Sequence, residues 1–293
     1  MKRFLNIILA ACISITATAT SYERLAARMN DHFEHAEWLE VLQETDAMIK
    51  INPIDADPYA AALIAAQFLN DLPAENKYLS QSQYNRVHID SLLQHVYVRT
   101  KHLHNAKVYE DLLLNLKANN KGLARVFNIY LLDFYSFARK THETIAIADE
   151  LLKSTPENLR FRKLKADALF YQGDSEEAIK MYESIIQSDP TDYDVMTILS
   201  AYYTTQADKC IEQLYNEYTS TPTPDNAYYT RQMQVIMDSL VTPSLILLHQ
   251  ADSIRPSEYI KKEITRMQNI TCHPPLHPST RRSSILDILK KED

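Results

Sequence analysis

The sequence predicts an all-α protein built from a recurring pair of antiparallel helices, and three observations carry that prediction. Glycine is almost absent, with Gly122 and Gly173 the only two in 293 residues, where average usage of roughly 7% would give about 20. Prolines fall at a steady step, Pro156, Pro190, Pro222 and Pro256 being 34, 32 and 34 residues apart. Ahead of each, at the same two intervals, stand a small residue and then a filler one helical turn later: Thr144 and Ala148, Ala178 and Tyr182, Cys210 and Leu214, Ser244 and Leu248. Val41, Thr45 and Pro53 repeat the interval near the start of the chain.

The physical reading of this unit is a helical hairpin. A small residue lets the second helix cross close to the first, the filler occupies the gap, and proline stops the second helix near its end. One such pair leaves an apolar face unfinished, so pairs must stack to share a core. The scarcity of glycine argues against other classes. Phosphate-cradling loops need it for close backbone approach, and tight hairpins need it for positive φ, so Rossmann, P-loop and strand-rich folds are disfavoured.

Taken in order, the chain opens with "MKRFLNIILAACISITATATSY". Lys2 and Arg3, an apolar run from Phe4 to Ile15, and Ala17 and Ala19 in an A-x-A arrangement predict a signal peptide over 1–19, too short to span a bilayer as a permanent anchor. "LAAC", Leu9 to Cys12, also resembles a bacterial lipobox, which would acylate Cys12; membrane attachment is expected only in that case. Removal of 1–19 leaves 29 Lys and Arg against 38 Asp and Glu, a net charge of −9, which disfavours binding to nucleic acid or anionic lipid through the net field. Cys210 and Cys272 then remain, too few for a disulfide framework; whether they pair is open.

Residues 22–270 form the predicted repeat domain. Asp57 and Pro58 open one helix as cap and first-turn proline, and Pro73 opens another. Apolar spacing adds helices over 87–103, 106–118, 123–138 and 142–154, and a lone helix near 257–270, charged on one side as a cap must be. The stretch "VFNIYLLDFYSF", 126–137, has nine apolar residues in twelve. Its mid-array place points to burial, with partial exposure as a binding patch the alternative. Residues 271–293 read as a flexible tail with a short amphipathic end at Ile285, Leu286, Ile288 and Leu289.

The best unit, residues 159–192, resembles the tetratricopeptide repeat (TPR) family. It carries the small first-helix residue at Ala166, the interhelix turn at Gly173 and Asp174, and the second-helix signature at Ala178, Tyr182 and Pro190; it departs at Arg162 and Lys165, where large apolar residues are usual. The resemblance implies an α-solenoid of about seven antiparallel pairs, a TPR-like superhelix, with a C-terminal capping helix. It also implies a concave groove, lined by first helices, that takes a protein or peptide partner. In the best unit the groove stripe would be Arg160, Lys163, Asp167 and Tyr171. One period earlier it would be Val126, Ile129, Asp133 and Phe137, and near the other end Asn226, Tyr229, Met233 and Met237. Asp167 stands where the family's carboxylate clamp would want a neutral donor.

Catalytic and metal readings are weak. "DHFEH" places His32 and His35 three apart, whereas the zinc-protease pattern needs four with glutamate after the first. Cys272, His273 and His277 lie in the tail, and nothing resembles a nucleophile elbow. "NIT" at 269–271 fits a glycan acceptor, and Asp-Ser-Leu or Asp-Ser-Ile at 90, 238 and 252 resembles an O-glycosylation signal of some exported bacterial proteins. The expectation is a non-enzymatic adaptor, exported to a bacterial periplasm or envelope, without cofactor. The alternatives are a lipid-anchored assembly factor and an enzyme on a helical-repeat scaffold.

Overall fold

The computed structural model describes residues 21–272, with side chains over 21–270. The expected signal peptide, Cys12 and the Ala17–Ala19 site lie outside the described residues, as does the expected tail from residue 273 onward. The fold is all-α: helices are joined by short turns, and no strand occurs among the described residues. The chain divides into two compact units, one running to Leu151 and one starting at Leu152.

The first unit holds α1 (21–34), α2 (Trp38–Ile51), α3 (Ala56–Phe68), α4 (Leu72–Tyr84), α5 (Ile89–His102), α6 (Ala106–Asn119), α7 (Ala124–Phe137) and α8 (Thr141–Leu152). These lie within a few residues of the predicted bounds. One start differs: Asp55, not Asp57, caps α3, accepting from the Asp57 amide at 3.0 Å, and Pro58 is the third helical residue. Asp71 and Asn105 cap α4 and α6 in the same way, satisfying amides that the first helical turn leaves without partners.

A backbone feature marks the period more regularly than any side chain. Ala36, Asn70, His104 and Arg139 have φ between 51° and 58°, and Gly173 has φ of 103°. Each sits in the turn inside a helix pair, 34 or 35 residues from the last, while Arg86, with φ of 60°, takes the same conformation between α4 and α5. The left-handed residue lets the second helix start back along the first. Only Gly173 takes that conformation without a Cβ penalty.

The core of this unit is α3. Every residue from Pro58 to Ala66 is buried, and α2, α4, α5 and α6 all pack against it. Its alanines let helix axes approach closely on several sides at once. Tyr59 is buried with its hydroxyl satisfied, donating to Pro53 O at 3.0 Å and accepting from Asn85 at 2.6 Å. Aromatics tie the first pair to α3, with Trp38 stacked on Phe68 at 4.2 Å and meeting the Phe33 edge at 5.4 Å. The apolar stretch 126–137 behaves differently. Phe127, Leu131, Leu132 and Tyr135 of α7 are buried, whereas Phe137 is 84% exposed.

The second unit begins with a regular pair, α9 (Leu159–Gln172) and α10 (Ser175–Ser188). Ala166, Ala178 and Tyr182 are buried at their seam, Gly173 makes the turn, and Pro190 is exposed just past α10. α11 (Tyr193–Ser220) then runs 28 residues without a break, across the turn that one more period would place near residue 207. Ala207 stands there, buried within the helix. α12 (Asn226–Ile236) and α13 (Thr242–Ile254) form the returning arm, joined by a π turn over Met237–Val241. Pro243 has no N–H to offer, and the Thr242 amide reaches Met237 O, widening the turn without ending the helix.

The first unit and α9–α10 thus supply five regular pairs, and one long hairpin occupies the span where the proline spacing puts the sixth and seventh. The small-residue rule still operates inside it. Ser200, Thr204 and Ser244 are buried where α11 and α13 cross, the Thr204 and Ser244 hydroxyls 2.8 Å apart. Cys210 and Leu214, one period after Ala178 and Tyr182, are only half-buried because no second helix begins there. α14 (Glu258–Cys272) closes the unit, its Arg266 bonding both Asp208 oxygens at 2.9 Å and Glu263 at 2.9 Å.

Two outcomes follow for stability, each read by urea unfolding of the full chain. Ala36→Gly and Arg139→Gly each raise stability by about 0.5–1 kcal/mol, and Gly173→Ala lowers it by about 1 kcal/mol, because only glycine takes positive φ freely. Ala62→Leu, inside the helix packed on all sides, lowers stability by about 1–3 kcal/mol through overpacking.

Candidate partner-binding cleft

The first unit carries an open cleft of about 670 Å³. The end of α1 supplies Asn30, Phe33 and Glu34, the first turn of α3 supplies Asp57, and α5 supplies His95, Val98, Arg99, Lys101 and His102, with His104 in the turn beyond. His95, Arg99 and His102 are spaced i, i+4, i+7, which puts them along one face of α5. Basic groups also suit this end of the helix, where unbonded carbonyls leave partial negative charge.

Arg99 is the centre of the site. Its Nε donates to Asp57 Oδ1 at 2.7 Å, and its Nη2 donates to Asp57 Oδ2 at 2.5 Å and to Asn30 Oδ1 at 3.1 Å. The guanidinium lies 5.0 Å from the centre of the Phe33 ring, a cation–π distance. Three helices therefore fix one guanidinium, which is only 13% exposed. Nη1 bonds nothing among the described residues. His95 Nδ1 lies 3.2 Å from Asp57 Oδ1. Burial would push the Asp57 carboxyl up, but the Arg99 guanidinium and His95 outweigh it and hold the carboxyl below its ordinary value.

Around this centre the lining offers Arg99 and Lys101 as cations and His95, His102 and His104 as imidazoles, against Glu34 and Asp57. Asp57 is matched by Arg99, which leaves Lys101 and Glu34, one charge of each sign, beside the three imidazoles. No serine, threonine or cysteine lines the cleft. Among the described residues no three His, Cys, Asp or Glu side chains converge as metal ligands. His32 and His35 of the "DHFEH" stretch instead meet carboxylates, His32 with Glu37 at 2.5 Å and His35 with Asp31 at 3.6 Å.

The groove residues expected from the sequence are placed separately. Arg160 and Tyr171 of α9 are exposed. Lys163 is spent on Asp192 and Asp194, both at 3.0 Å, joining α9 to the start of α11. Asp167 accepts from the Tyr182 hydroxyl at 2.5 Å, and burial holds its carboxyl above the ordinary value. In the first unit Asp133 is half-buried and Phe137 is exposed. Tyr229 and Met233 require correction. They are 6% and 5% exposed, because α12 is the outer part of the returning arm and packs back on α11, with the Tyr218 ring edge-on to Tyr229 at 5.0 Å. A partner in a groove does not reach them.

The cleft is not legible in the sequence. The i, i+4, i+7 set of His95, Arg99 and His102 was visible, but Asn30 and Asp57 lie 69 and 42 residues from Arg99, and nothing local links them.

No family model and no curated protein matches the chain. Three solved structures are similar to it in helical arrangement. A Bacteroides ovatus protein ascribed to protein binding aligns over 74% of this chain and 98% of its own, at 17% identity and a TM-score of 0.46. A TPR repeats protein from Bacteroides fragilis aligns over 85% of this chain and 98% of its own, at 13% identity and a TM-score of 0.40. A tetratricopeptide repeat protein from Parabacteroides merdae aligns over 85% and 100%, at 15% identity and a TM-score of 0.37.

Asp57→Asn should cost about 2 kcal/mol at pH 6, since it leaves a largely buried guanidinium without its counter-charge. The folded value of Asp57 is depressed, so its contribution is complete above the unfolded value of about 3.9 and is lost as pH falls through the folded one. Urea titrations at pH 6 and pH 3 should therefore show the difference between wild type and variant narrowing on acidification.

Proposed function

We propose that this chain is a non-enzymatic helical-repeat adaptor, exported to a bacterial envelope, that holds an extended segment of a protein partner in the α1–α3–α5 cleft. The observation that carries the reading is Arg99: a guanidinium fixed from three helices, with one nitrogen unspent, on the wall of an open cleft. Such pre-organisation lowers the entropy lost on binding, and guanidinium is matched to carboxylate by its planar donor geometry. The favoured segment is therefore an acidic one, with the exposed Val98 offering apolar contact beside the charge. Export rests on the N-terminal pattern alone.

The reading as an enzyme has one point in its favour, the Asp57–His95 contact. Against it, the carboxylate is engaged by Arg99 and the cleft is open.

The test is fluorescence anisotropy of the purified chain with peptides of matched length carrying acidic, neutral or basic side chains. Acidic peptides should bind at least tenfold more tightly than neutral ones, and affinity should fall with added salt. Lys101→Gln with His102→Gln, both at exposed positions, should weaken binding while leaving the unfolding transition in place. Equal affinity for all three peptide classes would remove the reading. Mature-protein mass spectrometry from a native envelope settles export and Cys12 acylation separately.

A further inference from the structure

The first unit contains a carboxyl group that neither the cleft nor the repeat signature uses. Glu75 lies in the first turn of α4, yet its side chain is 1% exposed. It points inward against two other helices. Asn115 of α6 faces the carboxyl and donates to Gln67 Oε1 of α3 at 2.9 Å. Glu75 Oε2 has no hydrogen-bond partner among the described residues. Beside this cluster Asn120 donates to Asn76 Oδ1 at 3.3 Å, a second polar tie between α6 and α4.

The groups that face Glu75 decide its charge. From α3 and α6 come the uncharged amides of Gln67 and Asn115, and the charge that acts on it is Asp71, a carboxylate on α4 itself. A carboxylate buried among amides without a cation is costly, so the folded chain favours the neutral acid.

We propose that Glu75 is a pH-sensitive latch between the second and third helix pairs, closing α4 onto α3 and α6 while uncharged and loosening that seam once ionised. Burial, chiefly, pushes the carboxyl up to about 7, Asp71 adding to the rise and Asn115 opposing it. The folded value is raised, so the folded chain holds a proton that the unfolded chain has released. The stabilisation is complete below the ordinary value of 4.5, is lost as pH rises through about 7, and changes no further above it. The latch rests on the packing of the first unit and is independent of what the cleft binds.

Hydrogen exchange of the full chain, corrected for intrinsic rates, tests it. The opening constant of α4 and α6 amides should grow about tenfold from pH 6 to pH 8.5. Glu75→Gln, which keeps the shape and cannot ionise, should abolish that growth. The same pH dependence in wild type and variant overturns the proposal. Should the variant fail to fold, a carboxyl-carbon NMR titration of the wild type decides: a midpoint near 7 supports the latch, and one at the ordinary glutamate value overturns it.

Discussion

Burial of α3 on every side is the constraint on which the first unit depends. A helix can be enclosed by four others only if its side chains are small enough for their axes to approach, and the run of alanines from Ala60 to Ala66, interrupted by Leu63 and Ile64, meets that condition. The enclosure dictates where polar groups can go. At the start of α3, Asp57 can stay charged because Arg99 and His95 arrive from α5. At its far end Gln67 meets Asn115, and the neighbouring Glu75 has no cation to face. The same close packing that builds the core therefore yields one well-matched carboxylate and one poorly matched carboxyl.

The repeat is enforced by backbone geometry rather than by side-chain identity. Five turns take a left-handed residue at a step of 34 or 35, although four of the five residues carry a Cβ. Those four positions are strained locally and held by the packing of the pairs they connect. Where the next turn would fall, Ala207 stays helical and α11 continues. Without that turn, the two predicted pairs merge into one hairpin of long arms, and residues expected at a groove are carried onto a helix–helix seam. Tyr229 and Met233 are buried for this reason, and Cys210 and Leu214 are half-exposed for the same one.

The cations that join helices differ in how many of their donors the fold uses. Lys163 and Arg266 are consumed by carboxylates that join helices, so their charges serve the fold. Arg99 is also paired, but the pairing uses two of its three nitrogens and orients the third. A fixed guanidinium with a nitrogen to spare is better suited to recognition than a freely rotating one, since less conformational entropy remains to be lost.

The sequence by itself determined the class of structure and most helix bounds. Scarcity of glycine, capping Asp and Asn residues, and the small-then-filler interval are local properties, legible wherever one pair of helices is specified by residues close in the chain. Gly173 with Ala178 and Tyr182 marked the best pair because its turn residue is the one that announces positive φ; Ala36 and Arg139 make the same turn unannounced. Only the tertiary structure decided which turns form, which helix is enclosed, and which charged groups meet. Asn30, Asp57 and Arg99 come from α1, α3 and α5, and Glu75, Gln67 and Asn115 from α4, α3 and α6. Such meetings depend on how helices stack, a property set by the sum of many weak apolar contacts and written at no single place in the chain.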